Sequence, residues 1–375
     1  MTNRAAETAA RREGSFEVAQ IPVTILTGFL GSGKTTLLNR ALRDPALART
    51  AVVINEFGEI SIDHALTTTS DDTIVVLENG CLCCTVFGDL VGTLNNLYHR
   101  REAGEIPPFD HVVIETSGLA DPAPVAQAFL SEPTLAGLYR VGRIIVTFDA
   151  VNGPGTLDRH DESVRQIALT DYILLTKLDL VVSDGAEAAL TARLRNINPT
   201  AAIHRIDDPA LDAVGLLSGV AADPSTSDDA AKAWLNLGAY QRDGEHAHHD
   251  HAGHDHRNHR TGDIESFAFI RTEPTSRYAL QLLLNALEQN LGPNLLRVKG
   301  LINIADEPDR PAVIQGAQHL LHNISWLPRW PDQDRRTRIV FITQNIARAS
   351  LEEMIGLLNR VATRTAKARE RAIQT

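Results

Sequence analysis

The chain has 375 residues, of which 43% are hydrophobic, so it is long and apolar enough to build a core in each of two domains. Its formal net charge of -11 argues against a general nucleic-acid partner or an anionic membrane surface, and no apolar run approaches the length of a membrane span. The 3 cysteines stand together, which does not suggest a secreted disulfide framework and favours a cytoplasmic location.

The chain begins with residues 1–19, which contain Arg, Glu and Ala but no apolar stretch, so we expect a flexible arm and not a signal peptide. From residue 20 to residue 220, apolar runs alternate with helical patterns. This alternation predicts an α/β domain with a mainly parallel sheet that helices cover on both faces. The predicted strands are Ile21–Thr27, Ala51–Asn55, Thr73–Leu77, His111–Glu115, Arg143–Phe148, Tyr172–Thr176 and Ala202–Ile206, and the predicted helices include Lys34–Arg43, Gly88–Arg101, Pro122–Leu130 and Ala186–Asn196.

A phosphate-binding loop follows the first predicted strand. Residues 28–35 read Gly-Phe-Leu-Gly-Ser-Gly-Lys-Thr, which matches the pattern G-x-x-x-x-G-K-[ST] between a strand and a helix. The glycines let the backbone approach phosphate, while Lys34 is suited to neutralise the β- and γ-phosphates and Thr35 to bind Mg²⁺. The nucleotide contacts predicted in this loop come from Gly28, Gly31, Ser32, Gly33, Lys34, Thr35 and Thr36.

The loop 55–59, Asn-Glu-Phe-Gly-Glu, follows the second predicted strand. A loop at this place can order around a γ-phosphate and relax after hydrolysis. Its glutamates can also turn toward a metal, and we include Glu56 among the candidate metal ligands. Glu59 is nearly as well explained by an acidic, solvated loop.

The cysteines form the run Cys-Leu-Cys-Cys at residues 81–84, which predicts that Cys81, Cys83 and Cys84 bind a thiophilic metal such as zinc. Three thiolates leave one tetrahedral position open, and no second Cys-x-x-Cys pair closes it. The pattern therefore fits a carrier that releases its metal better than a structural zinc site. Glu56, Glu59, a histidine or water remain candidates for the fourth ligand. A redox-active pair of cysteines and buried inert cysteines are the alternatives.

The predicted strand at 111–115 ends in Glu115-Thr116-Ser117-Gly118. A carboxylate at a strand tip can hold the Mg²⁺ shell or the attacking water, and the Gly118 amide can meet the γ-phosphate. A glutamate at the end of a strand is also common for structural reasons, but the phosphate-binding loop favours the functional interpretation. We therefore predict a catalytic set of Lys34, Thr35, Glu115 and Gly118.

The segment Thr176-Lys177-Leu178-Asp179 follows another predicted strand and points to recognition of guanine. Asp179 can accept two hydrogen bonds from the guanine edge, which adenine does not offer, while the Lys177 stem lies along the base. The segment thus favours GTP over ATP. A solvated turn at the end of the strand is the alternative.

Residues 221–262 are polar and predict a linker whose segment 246–259 is rich in histidine. Neutral imidazole suits zinc, cobalt and nickel, so we predict that this segment collects metal; a polar linker with idle histidines is the alternative. Residues 263–375 then predict a smaller α+β domain. The candidate metal ligands of the segment are His246, His248, His249, His251, His254, His256 and His259.

Together these motifs resemble the CobW-type family of metallochaperone GTPases, which are relatives of the nickel-insertion GTPases of hydrogenase and urease maturation. The resemblance rests on residues 28–35, 55–58, 78–84, 115–118 and 176–179, and more weakly on 296–300, 315–316 and 338–342. It implies a GTPase that binds Zn²⁺ or Co²⁺ at the cysteine run and delivers it to a client protein.

The chain departs from the family at one position of the base-recognition motif. That motif is usually Asn-Lys-x-Asp, whereas Thr176 stands at its first position and lacks an amide. Asp179 is retained, so GTP remains the expected nucleotide, with GDP as product. Intrinsic turnover is expected to be slow because no residue of the sequence is identifiable as an arginine finger; a partner or a second protomer, as in a homodimer, would complete the site.

The predicted metal and nucleotide residues all follow strands, so we expect them around one site. Contacts with the γ-phosphate would then alter the metal ligands, and hydrolysis would release the metal. Cobalt delivery for cobalamin biosynthesis is the alternative to zinc. A non-hydrolysing metal buffer or sensor and a small-molecule kinase are the alternatives from other classes.

Overall fold

The structure of the protein is a computed structural model that describes residues 20–56, 74–78, 85–181, 185–218, 227–236, 264–317, 320–321 and 324–373. The predicted fold class is confirmed. A parallel sheet covered by helices comes first along the chain. A smaller antiparallel sheet with its own helices follows it. Within the described ranges, no helix is both long and apolar enough to cross a membrane.

The first sheet has seven strands in the order β3-β2-β4-β1-β5-β6-β7, and every neighbouring pair is parallel. Its residues are rich in Val and Ile, and all six residues of β4 are buried, as expected for a sheet covered on both faces. The strands are β1 Ile21–Thr27, β2 Thr50–Glu56, β3 Ile74–Glu78, β4 His111–Thr116, β5 Tyr139–Asp149, β6 Tyr172–Thr176 and β7 Ala202–Arg205.

The helices around this sheet are more numerous than predicted. The additional ones are short, and two of them have proline in their first turn, which sequence periodicity detects poorly. The helices are α1 Lys34–Ala41, α2 Thr85–Glu102, α3 Ala123–Ser131, α4 Pro133–Leu138, α5 Gly153–Leu157, α6 Asp161–Leu169, α7 Ala186–Ile197 and α8 Ala213–Ser218.

Strand β1 shows how the sheet is covered on its two faces. Its residues Val23 and Ile25 belong to a core cluster with α2 and α3, whereas Leu26 belongs to a second cluster with α1 and α8. Alternate residues of a strand point to opposite faces, so a nearly continuous apolar run supplies both cores. Burial on both faces fixes the register of β1, from whose end the phosphate-binding loop leaves.

The second sheet has six antiparallel strands in the order β11-β10-β9-β13-β8, with β12 paired to β10. Helices α10 and α11 pack on one face of it through Leu280, Leu283, Leu351 and Ile355. These elements are β8 Ile264–Arg271, α10 Arg277–Ala286, β9 Leu295–Ile302, β10 Ala312–Ala317, β11 Leu320–Leu321, β12 Ser325–Trp326, β13 Thr337–Gln344 and α11 Arg348–Ile373.

Helix α9, Asp228–Leu235, lies inside the stretch 221–262 that the sequence predicts to be a linker. Ser227 caps its first turn, and Trp234 packs against Leu301 and Trp330 of the second domain. The helix is too short for its periodicity to stand out among acidic neighbours. Ordered structure therefore extends into the predicted linker, on the side of the second domain.

His111 is a buried histidine at the amino end of β4, 5% exposed. The Thr24 hydroxyl donates to the carbonyl of Leu217, so the His111 Nε2–H donates to the Thr24 oxygen at 3.0 Å. Burial lowers the pKa of His111 from 6.5 to about 4. The charge of Arg143 lowers this pKa further, whereas the backbone of Leu217 raises it. The histidine is thus neutral in the folded protein near neutral pH.

We expect His111 to make the fold sensitive to mild acid. Because its folded pKa lies below its unfolded value, its contribution to stability is present above pH 6.5 and is lost as the pH falls toward 4. Between pH 8 and 5.5, this residue alone is expected to lower the free energy of unfolding by about 1.4 kcal/mol. Urea unfolding of wild type and of His111→Gln at both pH values measures this. The exposed His99→Gln is the control, and equal pH dependence in all three proteins would contradict the prediction.

Candidate functional site

The carboxyl ends of the central strands form one edge of the first sheet. Strand β1 pairs in parallel with β4 on one side and β5 on the other, and β6 follows next to β5. The loops that leave these four strands therefore meet at the same edge, where ligands of open α/β sheets bind. The predicted nucleotide residues lie at the ends of these strands, on the loops that follow them or in the first turn of the next helix.

The phosphate-binding loop is closely fitted to the sheet. At Gly28, φ is 141°, and an added Cβ would lie 2.4 Å from the carbonyl oxygen of Thr147, so no other residue fits. The hydroxyls of Ser32 and Thr147 are 2.7 Å apart. Helix α1 begins at Lys34, and its first backbone N–H groups have no intrahelical partner. This loop thus presents a helix N-terminus to an anion.

Lys34 and Thr35 lie at the start of α1, as predicted. The Lys34 ammonium is buried and donates to the carbonyl oxygen of Gly28 at 2.8 Å, so its charge lies over the loop. The Thr35 hydroxyl donates to a carboxylate oxygen of Glu115 at 2.6 Å. Thr36 follows as an exposed residue. The structure therefore brings three residues of the predicted catalytic set together.

The pair of Thr35 and Glu115 has the chemistry that magnesium requires. Both are hard oxygen donors, and Glu115 is 1% exposed at the end of β4. Its position beside the helix N-terminus places a carboxylate next to the expected phosphates. The residues present thus fit a magnesium ion between the loop and β4.

Gly118 lies directly against the phosphate-binding loop. An added Cβ would lie 2.6 Å from the backbone nitrogen of Leu30 and also 2.6 Å from a methyl group of its side chain. Glycine is therefore required for this close approach. The loop that follows β4 thus lies in contact with the phosphate-binding loop.

Thr176 stands at the first position of the base-recognition motif, where asparagine is usual. Its side chain is buried, with 5% of the residue exposed. Its hydroxyl donates to the carbonyl oxygen of Ser32 at 2.8 Å and lies 3.2 Å from that of Phe148. The side chain is thus engaged with the phosphate-binding loop and β5. Its observed contacts tie two loops of the site together.

Replacing Thr176 with valine is expected to weaken nucleotide binding about fivefold to tenfold, because the Ser32 carbonyl loses its donor in a buried place. Isothermal titration with GDP and a GTP analogue measures the change. Thr343→Val, at a fully buried threonine of the second domain, is the matched control. Nucleotide affinity equal to that of wild type would contradict this role.

Asp149, at the end of β5, was missed by the sequence reasoning. It is 8% exposed and accepts hydrogen bonds from Lys177 at 2.7 Å and from the backbone nitrogens of Val151 and Asn152 at 2.8 Å. Burial alone would raise the pKa of Asp149, but Lys177 and the Asn152 and Val151 donors lower it. The strand prediction ended at Phe148, so the signal available was a carboxylate at a strand end, as at Glu115.

Lys177 is therefore held in place by Asp149. Its backbone has φ 59°, and its side chain is 37% exposed. Asp179 lies in the short helical turn Leu178–Leu180 and is exposed. The structure brings Lys177 into the site, while Asp179 stands beyond the enclosed part of it.

A cavity of about 280 Å³ lies between the phosphate-binding loop and the ends of β5 and β6. Seven of its twelve lining residues carry polar side chains, set among apolar surface, which suits a ligand with both hydrogen-bonding groups and a flat apolar face. Asn152, Thr156 and Ser163 are wall residues that the sequence did not single out. The lining residues are Phe29, Leu30, Gly31, Ser32, Thr147, Phe148, Asp149, Asn152, Gly153, Thr156, Ser163 and Lys177.

The predicted metal ligands fall almost entirely outside the described residues. This applies to Glu59, to Cys81, Cys83 and Cys84, and to His246, His248, His249, His251, His254, His256 and His259. Only the backbone is described at Glu56, which pairs in register with Glu78 at the carboxyl ends of β2 and β3. Across the described part of the chain, no group of three or more His, Cys, Asp and Glu side chains is placed to hold a metal.

Comparison with protein families gives two matches. The model of the CobW/HypB/UreG nucleotide-binding domain matches residues 22–205. The model of the C-terminal domain of the cobalamin synthesis protein cobW matches residues 264–357. The two matches correspond to the two sheets.

Individual proteins show the same similarity over most of their length. The zinc chaperone YjiA of Escherichia coli is 32% identical over 322 residues, which cover 86% of this chain and 93% of that protein. The zinc chaperone CobW of Pseudomonas aeruginosa is 32% identical over 369 residues, covering 90% and 91%. The crystal structure of the zinc-bound YjiA GTPase from E. coli matches with a TM-score of 0.62 at 28% identity, covering 90% of this chain and 99% of that one.

Proposed function

The chain belongs to the CobW/HypB/UreG family, and from that premise we propose that it is a GTP-hydrolysing chaperone that carries Zn²⁺ to a client protein. The observation that carries the enzymatic part is the 2.6 Å contact between Thr35 and Glu115 beneath the phosphate-binding loop. A glycine-rich loop needs no such carboxylate to bind an anion. A magnesium nucleotide requires an oxygen donor pair at this place.

In the proposed hydrolysis, Lys34 neutralises charge on the β- and γ-phosphates, and the amides at the start of α1 bind phosphate oxygens. Thr35 and Glu115 hold Mg²⁺, which supplies charge neutralisation at the phosphate oxygens when bound. The Gly118 amide meets the γ-phosphate. Lys177, fixed by Asp149, lies along the base, and Asp179 reads its edge.

The proposed zinc cargo binds Cys81, Cys83 and Cys84. These residues lie in the chain between the end of β3 at Glu78 and the start of α2 at Thr85. Glu56 is a candidate fourth ligand because the last residues of β2 and β3 are in register at the same sheet edge. An incomplete thiolate shell suits a cargo that must leave, and a reducing cytoplasm keeps the thiols available.

We further propose that nucleotide state controls zinc affinity. The β2, β3 and β4 strands are neighbours, so the segments that follow Glu56, Glu78 and Glu115 leave one edge of the sheet. A γ-phosphate contact in one of these segments can therefore change the geometry of the ligands in another. A client protein takes the metal in the state of lower affinity. The histidine segment 246–259 collects metal for this site.

The test is to measure zinc affinity by chelator competition with the GTP analogue, with GDP and without nucleotide, and phosphate release from GTP with and without zinc. We expect zinc affinity to differ at least tenfold between the triphosphate and diphosphate states. Equal zinc affinity in all three states would rule out the coupling. Zinc binding without release of phosphate from GTP would identify a metal buffer instead.

A further inference from the structure

Helix α6 contacts the candidate nucleotide site at its amino end. His160, the residue before the helix, packs against Phe29 of the phosphate-binding loop with ring centroids 4.7 Å apart. Ser163 is 2% exposed to solvent and lines the cavity. The start of α6 therefore touches the loop expected to hold the phosphates.

The middle of α6 holds the loop 117–121, which follows Glu115. Gln166 is 1% exposed, and its amide nitrogen donates to the carbonyl oxygens of Gly118 at 3.3 Å and Ala120 at 3.0 Å. The amide nitrogen carries two hydrogens, so both are directed to this loop. Arg165 adds an ion pair with Asp121 at 3.4 Å. The backbone of the loop around Gly118 is thus tied to the helix through its carbonyl oxygens.

The carboxyl end of α6 is held by the second domain. Arg297 of β9 donates to the carbonyl oxygens of Leu169 at 2.7 Å and Thr170 at 2.6 Å. Carbonyls at the end of a helix have no intrahelical partner and carry the negative end of its dipole, so a guanidinium is favourable there. The same guanidinium pairs with Asp171. A single side chain of the second domain therefore caps α6.

This contact between the domains is enclosed and charged. The side chains of Arg297, Lys299 and Asp171 are 11%, 13% and 23% exposed, and Lys299 donates to Asp171 at 3.3 Å. Burial alone would raise the pKa of Asp171, but the two cations lower it below its ordinary value. Ala168 packs beside them against Leu296. Because breaking a buried ion pair is costly, we expect a displacement of the end of α6 to be passed on to β9.

We propose that α6 couples occupancy of the γ-phosphate site to the docking of the second domain, with Gln166 and Arg297 as positioning residues at its two ends. This coupling rests on one part of the proposed function, namely that a nucleoside triphosphate binds with its γ-phosphate against Gly118. A shift of the loop 117–121 moves Gln166, and α6 transmits the shift to the carbonyls that Arg297 caps. By linkage, the strength of this docking alters affinity for the triphosphate and not for the diphosphate.

The test is a double-mutant cycle with Gln166→Leu and Arg297→Met. Each single variant is expected to lower affinity for the GTP analogue at least fivefold while leaving GDP affinity within twofold of wild type. The double variant is expected to lose no more than the stronger single variant, because both act through α6. Arg335→Met, in an exposed ion pair of the second domain, is the matched control. Arg297→Lys is expected to keep part of the preference for the GTP analogue over GDP that Arg297→Met loses.

Hydrogen exchange gives a second readout that a merely structural role would not change. The amides of β9, Leu295–Ile302, are expected to exchange more slowly in wild type with GTP analogue than with GDP, and equally with both in Gln166→Leu. Additive effects in the cycle, or equal loss of GDP and analogue affinity in folded variants, would overturn the inference.

The proposed function fails separately from this inference. If the wild-type protein bound nucleotide but neither bound zinc nor released phosphate, the proposed chaperone function would be wrong. The nucleotide affinities of the double-mutant cycle could still be measured. If the preferred base is adenine, ADP and an ATP analogue replace the guanine nucleotides in the same cycle. Wild type that binds no nucleotide would overturn both proposals.

Discussion

Replacing Lys34 with methionine is expected to lower the rate of GTP hydrolysis by about 100- to 1000-fold. The buried ammonium lies over the phosphate-binding loop, 2.8 Å from the Gly28 carbonyl, where no other residue of the predicted catalytic set carries positive charge. The charge that develops on the phosphates would then lose its compensation. Single-turnover release of labelled phosphate measures the effect directly.

A matched control separates lost charge from a collapsed loop. Lys232→Met removes an exposed lysine of α9 and is expected to leave hydrolysis unchanged. In Lys34→Met, GDP affinity and thermal unfolding are measured alongside turnover; a collapsed loop would lose GDP as well as activity. Turnover within threefold of wild type in a folded Lys34→Met protein would contradict the assigned role.

Replacing Cys81, Cys83 and Cys84 together with serine is expected to weaken zinc binding by at least about 100-fold. Serine hydroxyls stay protonated at neutral pH and are poor ligands for a thiophilic ion. These are the 3 cysteines of the chain, so no remaining thiol can compensate. Chelator competition under reducing conditions measures the affinity, and nucleotide binding by Lys34 and Thr35 is expected to persist.

The histidine segment provides the comparison for the cysteine variant. Deletion of 246–259 is expected to lower the number of weakly bound zinc ions but to preserve the tight site. Tight zinc binding that survives the triple serine change and disappears with the deletion would place the cargo site in the histidines. A disulfide between Cys81 and Cys84 that forms reversibly while zinc affinity stays negligible would favour the redox alternative.

The sequence predicted those parts of the fold and site that depend on local pattern. Apolar runs alternating with helices indicated the parallel sheet, and the phosphate-binding motif placed Lys34 and Thr35 at the start of a helix. Glu115 followed from the same reasoning about strand ends. In each case the pattern that identifies the residue is local, since Glu115 stands directly at the end of an apolar run, although its contact with Thr35 spans 80 positions.

Residues whose role depends on distant contacts could not be found in this way. Gln166 reaches Gly118 across 48 positions of the chain, and Arg297 reaches Thr170 across 127. Nothing in the neighbourhood of either residue indicates its partner. Thr176 looked like a weakened base-recognition residue because its contact with Ser32, 144 positions away, is invisible in the sequence. Tertiary packing decided all three.

The packing of α9 assigns this helix to the second domain, although it lies in the predicted linker. Trp234 packs with Leu301 and Trp330, so α9 shares a hydrophobic core with the second sheet. Leu217 of α8 packs instead in a core of the first domain. Along the chain, the change from one domain to the other therefore falls between α8 and α9, before the histidine segment 246–259. A change in the number of histidines in 246–259 is thus expected to leave the contacts between the two domains in place.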